Sequence, residues 1–207
     1  MTEWYLLPGM GASSAMYNAL KRRLSFNVNF VNWPEYRGEK TYSEVAARLI
    51  TENRITDGDV IGGSSLGGIV SLEIAKQIKS MATILLGSAM KPAEVQGLLR
   101  LLSPIAEVTP VSLLQLVTGK NGNLINSMFS KSDSDFIRAM CLYLPSWSGY
   151  SGPADNIYRL HGRKDHVIPC PSIGTDVIEN AGHLLVITHV QETAKFLENV
   201  KSKLYRT

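Results

Sequence analysis

Asp59-Val60-Ile61-Gly62-Gly63-Ser64-Ser65-Leu66-Gly67-Gly68-Ile69-Val70 is the stretch on which the fold turns. It opens as a short apolar strand, Asp59–Gly62, and passes through small residues into a helix expected over Gly67–Lys79. Ser65 has glycine two positions before it and two after it, giving G-x-S-x-G at a strand-to-helix junction. That pattern is the signature of a nucleophile elbow, a sharp strained turn that lifts a serine hydroxyl clear of a sheet. The small residues let strand and helix pack closely, and the helix N-terminus favours developing negative charge. The backbone N–H of Leu66 then faces the reacting carbonyl. Neighbouring Ser64 lacks the paired glycines. An ordinary glycine-rich turn is the alternative; a phosphate-binding turn fits less well, because the spacing matches neither G-x-G-x-x-G nor a P-loop and no lysine follows.

Outward from this turn the chain alternates strand and helix. Trp4–Leu7 is an apolar run stopped by Pro8-Gly9, and Asn27–Trp33 is a β-rich run ending at Pro34. Between them Ser13 or Ser14 can cap a helix over Ala15–Leu24, where Met16, Leu20 and Leu24 share a face. Thr41 opens a helix to about Asn53, and Met81–Leu86 is a fourth strand. Strands apolar on both faces, alternating with helices, predict an α/β fold with a mostly parallel sheet flanked by helices. Ile157–Leu160 and Asp176–Ile178 add two strands, which makes six, and Val190–Leu204 closes the chain as a helix.

From about 89 to 150 the rhythm changes to leucines at helical spacing: Leu98, Leu99, Leu101 and Leu102, then Leu113, Leu114 and Leu116. Pro104, Pro110 and Gly119–Gly122 break this stretch, and Ser132 with Asp135 resembles a capping box for a further helix to about Leu144. The expectation is one domain over residues 1–207 with a helical insertion at about 89–150.

With the elbow placed after the third strand, the chain resembles the α/β-hydrolase superfamily over nearly its whole length apart from that insertion. The resemblance implies an oxyanion-hole loop after the first strand, where Leu7-Pro8-Gly9-Met10-Gly11 stands, with Pro8 in place of the frequent histidine. The N–H of Met10 is then the second oxyanion donor beside that of Leu66. The family order Ser…Asp/Glu…His applies to a chain whose four histidines, His161, His166, His183 and His189, all lie near its end. His161-Gly162-Arg163-Lys164-Asp165, followed by Pro169, resembles the family's acid loop and implies Asp165 as acid. Gly182-His183 resembles its base motif and implies His183 as base. His161 is then a structural residue at a strand end, His166 a loop or pocket-wall residue, and His189 a cap or surface residue. Asp155 and Asp176, the competing acids, belong at the opposite end of the sheet. Between Asp165 and His183 the stretch Cys170-Pro171-Ser172-Ile173-Gly174 is too broken for the helix relatives usually carry, so the core reads as trimmed.

Composition narrows the partners. The 207 residues are 44% hydrophobic and 19% charged with a formal charge of +3, ordinary for a globular domain. No basic stripe with interleaved aromatics suggests nucleic acid. Two cysteines, Cys141 and Cys170, imply no disulfide framework, and no metal-ligand or dinucleotide spacing calls for a metal or other cofactor. The N-terminus carries an acid where a signal peptide has a base, so a cytoplasmic protein acting on a small-molecule substrate, without a membrane, is expected. The insertion would cover the site and make it apolar, with Met10, Met90 and Trp147 as walls. A small to medium acyl ester or thioester hydrolase is the leading expectation. The same fold and triad used for C–C cleavage, lyase or acyl-transfer chemistry is the second, and a non-catalytic binding module the third.

Overall fold

A computed structural model of the chain describes residues 2–95 and 133–206. Six strands form one all-parallel sheet in the order β2-β1-β3-β4-β5-β6. They are β1 (Trp4–Leu7), β2 (Asn29–Phe30), β3 (Val60–Ser64), β4 (Ala82–Leu86), β5 (Ile157–Gly162) and β6 (Asp176–Ile178). Side chains alternate between the two faces, so each strand feeds two cores. Tyr5, Leu7, Ile61 and Leu85 meet the layer of α2 (Tyr42–Asn53), α3 (Leu66–Ala75) and α4 (Ser134–Tyr143). Trp4, Leu6, Val60, Ile84 and Leu86 meet α1 (Asn18–Lys21), α5 (Leu185–Thr188) and α6 (Val190–Leu204). Helix α3 is buried on every side from Leu66 to Ile74, because the sheet lies beneath it and α2 beside it, which explains its lack of a polar face.

The central strands fall within a residue or two of their expected bounds, while the flanks differ. Asn27–Trp33 contributes only the two residues Asn29 and Phe30 to the sheet. As an edge strand it has one neighbour, and past Phe30 the chain bonds the segment that follows β1: Asn32 Oδ1 accepts from Ser14 N, and Trp33 Nε1 donates to Gly9 O. The helix expected over Ala15–Leu24 is a 3-10 turn, Ser14–Tyr17, followed by the single α-turn of α1, and Ser13 makes no side-chain cap. Asp133, rather than Ser132, caps α4, its Oδ1 accepting from Asp135 N and Phe136 N. Ser132 and the leucines from Leu98 to Leu116 lie outside the described residues. No helix intervenes between β5 and β6, which fits the trimmed reading. Helix α5, just after His183, was not expected from the sequence.

The strand order reverses direction at β1: β2 lies on one side of it and β3 on the other. In open α/β sheets such a switch point leaves a crevice beyond the carboxyl ends of the strands. Both Pro8–Met10 and the Ser65 turn stand at that crevice.

Candidate active site

Ser65 has φ 52° and ψ −119°, backbone space that a side chain adopts only under strain. The turn is forced by packing. A Cβ on Gly63 would come within 2.5 Å of the Gly67 carbonyl carbon and 2.7 Å of Leu7 O. One on Gly67 would collide with the carbonyls of Leu7 and Pro8. Glycine at both positions is therefore a steric requirement of strand, turn and helix meeting here. Two hydrogen bonds from β4 and its exit hold the turn: Ser65 N donates to Leu86 O at 3.0 Å, and the buried Ser88 hydroxyl donates to Ser65 O at 2.6 Å. Below them Arg159, 8% exposed, donates to Ser88 O and pairs with Glu94, its Nε being the one buried side-chain atom without a partner among the described residues.

The acid and base loops hang from β5 and β6. Asp165 is 5% exposed. Its Oδ1 accepts from Val167 N and Ile168 N, both at 2.9 Å, and its Oδ2 is 2.8 Å from His183 Nδ1. An ionised carboxylate only accepts, so His183 Nδ1 carries the hydrogen and leaves Nε2 as acceptor. That Nε2 lies 2.9 Å from Ser65 Oγ. The three side chains therefore stand in hydrogen-bonding succession.

His161, expected as a structural residue at a strand end, also meets the acid itself. Its Nε2–H donates to Ile168 O at 2.7 Å, and Asp165 Oδ2 sits 3.1 Å from the same nitrogen. Burial on its own pushes the Asp165 carboxyl up. The contacts of His161 and His183, the charge of His183 and the Ile168 N–H outweigh it, and the acid is held well below the usual carboxylate range. His161 is a buried prop of the acid loop at a strand end.

The loop after β1 lies against the serine, with Gly9 beside the Ser65 Cβ position. Met10 follows it, and the Met10 thioether meets the Cys141 thiol of α4 at 3.4 Å. Met90 is half-buried on the chain leaving β4, three residues beyond Gly87, which packs against the His183 carbonyl and Asp165. Trp147 is not brought to this group. Its indole N–H donates to Glu73 at 2.8 Å, about 12 Å along α3 from Ser65, and the ring fills the core. Its place at the end of the insertion suggests a pocket wall, whereas the structure buries the ring against α3. Asp155 is exposed ahead of β5, away from the carboxyl ends, but exposed Asp176 is not at the opposite end as expected: three-residue β6 pairs only with the end of β5, which puts Asp176 level with Leu160, Leu86 and Ser64, on the far edge strand. His166 is exposed, and half-buried His189 leads into α6, with its Nδ1 2.9 Å from Thr188 Oγ1. Among the described residues no cluster of side chains could hold a metal ion, and no helix is long and apolar enough to cross a membrane.

A family model described as the alpha/beta hydrolase family matches residues 5–196. No curated protein matches the chain in sequence. Solved structures resemble it in fold. One is a thermophilic esterase from Thermogutta terrifontis at 18% identity, with TM-score 0.75 over 99% of this chain and 91% of that one. A mutant N-acyl homoserine lactonase complexed with N-hexanoyl homoserine lactone aligns at 15% identity, with TM-score 0.72 over 100% and 92% of the two chains. A putative aryl esterase from Burkholderia cenocepacia aligns at 12% identity, with TM-score 0.67 over 97% and 91%.

Proposed function

The chain belongs to the alpha/beta hydrolase family and is an enzyme of that class, and from that premise we propose a serine hydrolase that cleaves small to medium, largely apolar acyl esters or thioesters through an acyl-enzyme. The observation that carries the reading is the unbroken succession from Ser65 Oγ through His183 to Asp165, at 2.9 and 2.8 Å. A serine hydroxyl is a weak nucleophile near neutral pH and needs a positioned base. His183 Nε2 takes the Ser65 proton as Oγ attacks the acyl carbonyl. Asp165 fixes the tautomer of His183 and stabilises the imidazolium that forms. The tetrahedral oxyanion is received by the N–H groups of Met10 and Leu66, at the ends of two turns that touch each other. The protonated His183 then gives its proton to the leaving alcohol or thiol. Water, activated by the same nitrogen, hydrolyses the acyl-enzyme.

The acyl preference is supported by the apolar side chains on this face. Met10, Trp33, Met90, Cys141 and Val167 are all half-buried against the α2–α3–α4 core. An apolar acyl chain lying on them removes surface from water at roughly 25 cal/mol per Å².

The test is labelling by a fluorophosphonate, followed by kinetics on p-nitrophenyl esters of increasing acyl length. Labelling lost in Ser65→Ala and kept in Ser64→Ala, with kcat/KM rising from acetate to medium-chain acyl groups, is the expected result. Absence of labelling in folded wild-type protein would remove the catalytic reading. A preference for charged or sugar-like acyl groups would remove the substrate class.

A further inference from the structure

Each proposed oxyanion donor belongs to a planar trans peptide unit, so its N–H points opposite to the carbonyl of the residue before it. For Leu66 that carbonyl is Ser65 O, and for Met10 it is Gly9 O. A side chain holds each of these oxygens from behind. Ser88 Oγ donates to Ser65 O at 2.6 Å, and the Trp33 indole Nε1–H donates to Gly9 O at 2.9 Å. The two units differ in what else secures them. Ser65 O also accepts from Gly68 N at 3.0 Å and Ile69 N at 3.4 Å, so the first turn of α3 fixes it even without Ser88. Gly9 O also accepts from Ala12 N at 3.1 Å, but that bond is internal to the loop: it closes the turn over residues 9–12, with Gly11 at φ 68°. Met10 N has no acceptor among the described residues.

We infer that Trp33 is a positioning residue for the oxyanion hole: its indole N–H, bonded to Gly9 O, sets the direction of the Met10 N–H on the far side of the same peptide. The inference rests on the reading of Ser65 as nucleophile and Met10 as donor. A turn bond travels with its loop and does not fix how the loop sits over Ser65. The indole does, because its ring belongs to another part of the fold. Trp33 follows edge strand β2 and lies against buried Phe136 of α4, with ring centroids 5.5 Å apart. An indole N–H is only ever a donor, so the direction of the bond is settled. A second hydrogen bond on the carbonyl also polarises the peptide and makes its N–H the better donor. Neighbouring groups do not duplicate this role. Pro8 has no N–H to give, and Gly9 N is spent on the Met16 thioether at 3.3 Å, a weak acceptor. The Tyr17 hydroxyl bonds Leu7 O and Ser64 N, within the sheet rather than in the turn. Cys141 reaches Met10 only through the end of its flexible side chain.

Benzothienylalanine at position 33 keeps the bicyclic ring and its packing and puts sulfur in place of the N–H. Trp33→Phe removes the donor together with part of the ring. On p-nitrophenyl acetate, whose acyl group offers only a methyl for apolar contact, kcat falls about 10- to 30-fold in both, part of the loss expected for deleting an oxyanion donor outright. KM stays within about twofold, because a donor aimed at the transition state adds little to ground-state binding. Ser65 Oγ adds to the carbonyl of trifluoroacetone to give a hemiketal whose oxygen stands where the oxyanion forms, and affinity for this ketone weakens by the same factor as kcat/KM. The pH–rate profile keeps its shape, since His183 and Asp165 are untouched. A tryptophan that only packs would leave kcat and ketone affinity of the folded benzothienyl protein within about twofold of wild type, whatever its melting temperature; that result overturns the inference. Should neither variant fold, the Trp33 indole proton of the unaltered protein decides. It shifts downfield when trifluoroacetone occupies Ser65, because an oxyanion on Met10 N–H draws on the same peptide; an unmoved resonance overturns the inference. Fluorophosphonate labelling that persists in Ser65→Ala would instead defeat the nucleophile assignment. Loss of labelling there, with wild-type kinetics in the folded Trp33 variants, would defeat only the role of Trp33.

Discussion

The two halves of the candidate site are built differently. The serine side is made by steric necessity: Ser65 is strained at φ 52° because β3 and α3 meet with no room for a Cβ at Gly63 or Gly67. The acid–base side has no positive φ at Asp165 or His183. It is made by hydrogen bonds: Asp165 Oδ1 takes two backbone N–H groups, and Oδ2 meets both His183 and His161. Strain written into a turn is local and rigid, whereas a carboxylate held by donors from several loops depends on charge and on the fold around it. Damage to the first should therefore cost stability and activity together. On the second, activity should be lost with the fold intact at neutral pH, and its contribution to stability should disappear only in acid.

Four experiments press on that contrast. Removing the attacking or accepting atom, by Ser65→Ala or His183→Ala, should lower kcat by about 10⁴–10⁶ with the fold intact, and Asp165→Asn by about 10⁴. Steady-state rates beside circular dichroism separate these from unfolding, and a His183→Ala rate near wild type would redirect the base to another histidine. Gly63→Ala should destabilise by about 3 kcal/mol or more, because the atoms it meets are backbone and cannot swing away. Denaturant midpoints check this, and a loss clearly below that of Asp165→Asn at pH 7 would break the comparison.

Acid should expose the electrostatic half. Asp165 titrates lower in the folded protein than when unfolded, so its ionised form stabilises the fold. That contribution is complete above the unfolded value of about 3.9 and is lost as the pH falls from there toward the lower folded value. Melting temperature measured from pH 6 to pH 2 should therefore decline less steeply in Asp165→Asn than in wild type. The smallest effect belongs to Ser88→Ala. It strips Ser65 O of a 2.6 Å donor, at about 1–2 kcal/mol of stability and less than about tenfold in kcat. An unchanged melt would mean that the elbow needs no brace from β4.

Much of this was legible before any coordinates. Trp4–Leu7 and Met81–Leu86 read as strands because a short apolar run ended by a turn residue, Pro8 in one case and Gly87 in the other, is a local property. Asn29–Phe30 was over-read as Asn27–Trp33, since β propensity does not reveal that an edge strand has only one neighbour. Tyr17 carried no signal. Its neighbours on the helical face, Met16 and Leu20, look like core, and its hydroxyl partners lie 10 and 47 residues away. Trp147 misled for the same reason, because Glu73, which accepts its indole N–H, is 74 residues distant.

By itself the sequence determined the parallel sheet and the Ser65 turn. Periodicity and steric exclusion act between residues a few positions apart, and G-x-S-x-G allows few other packings. Tertiary structure alone decided that His161 meets Asp165 as well as Ile168, that the Tyr17 hydroxyl bonds both Leu7 O and Ser64 N, and that Arg159 lies buried beneath Ser88 against Glu94. Those arrangements depend on hydrogen-bond distance and desolvation, which exist only once strands far apart in sequence are neighbours.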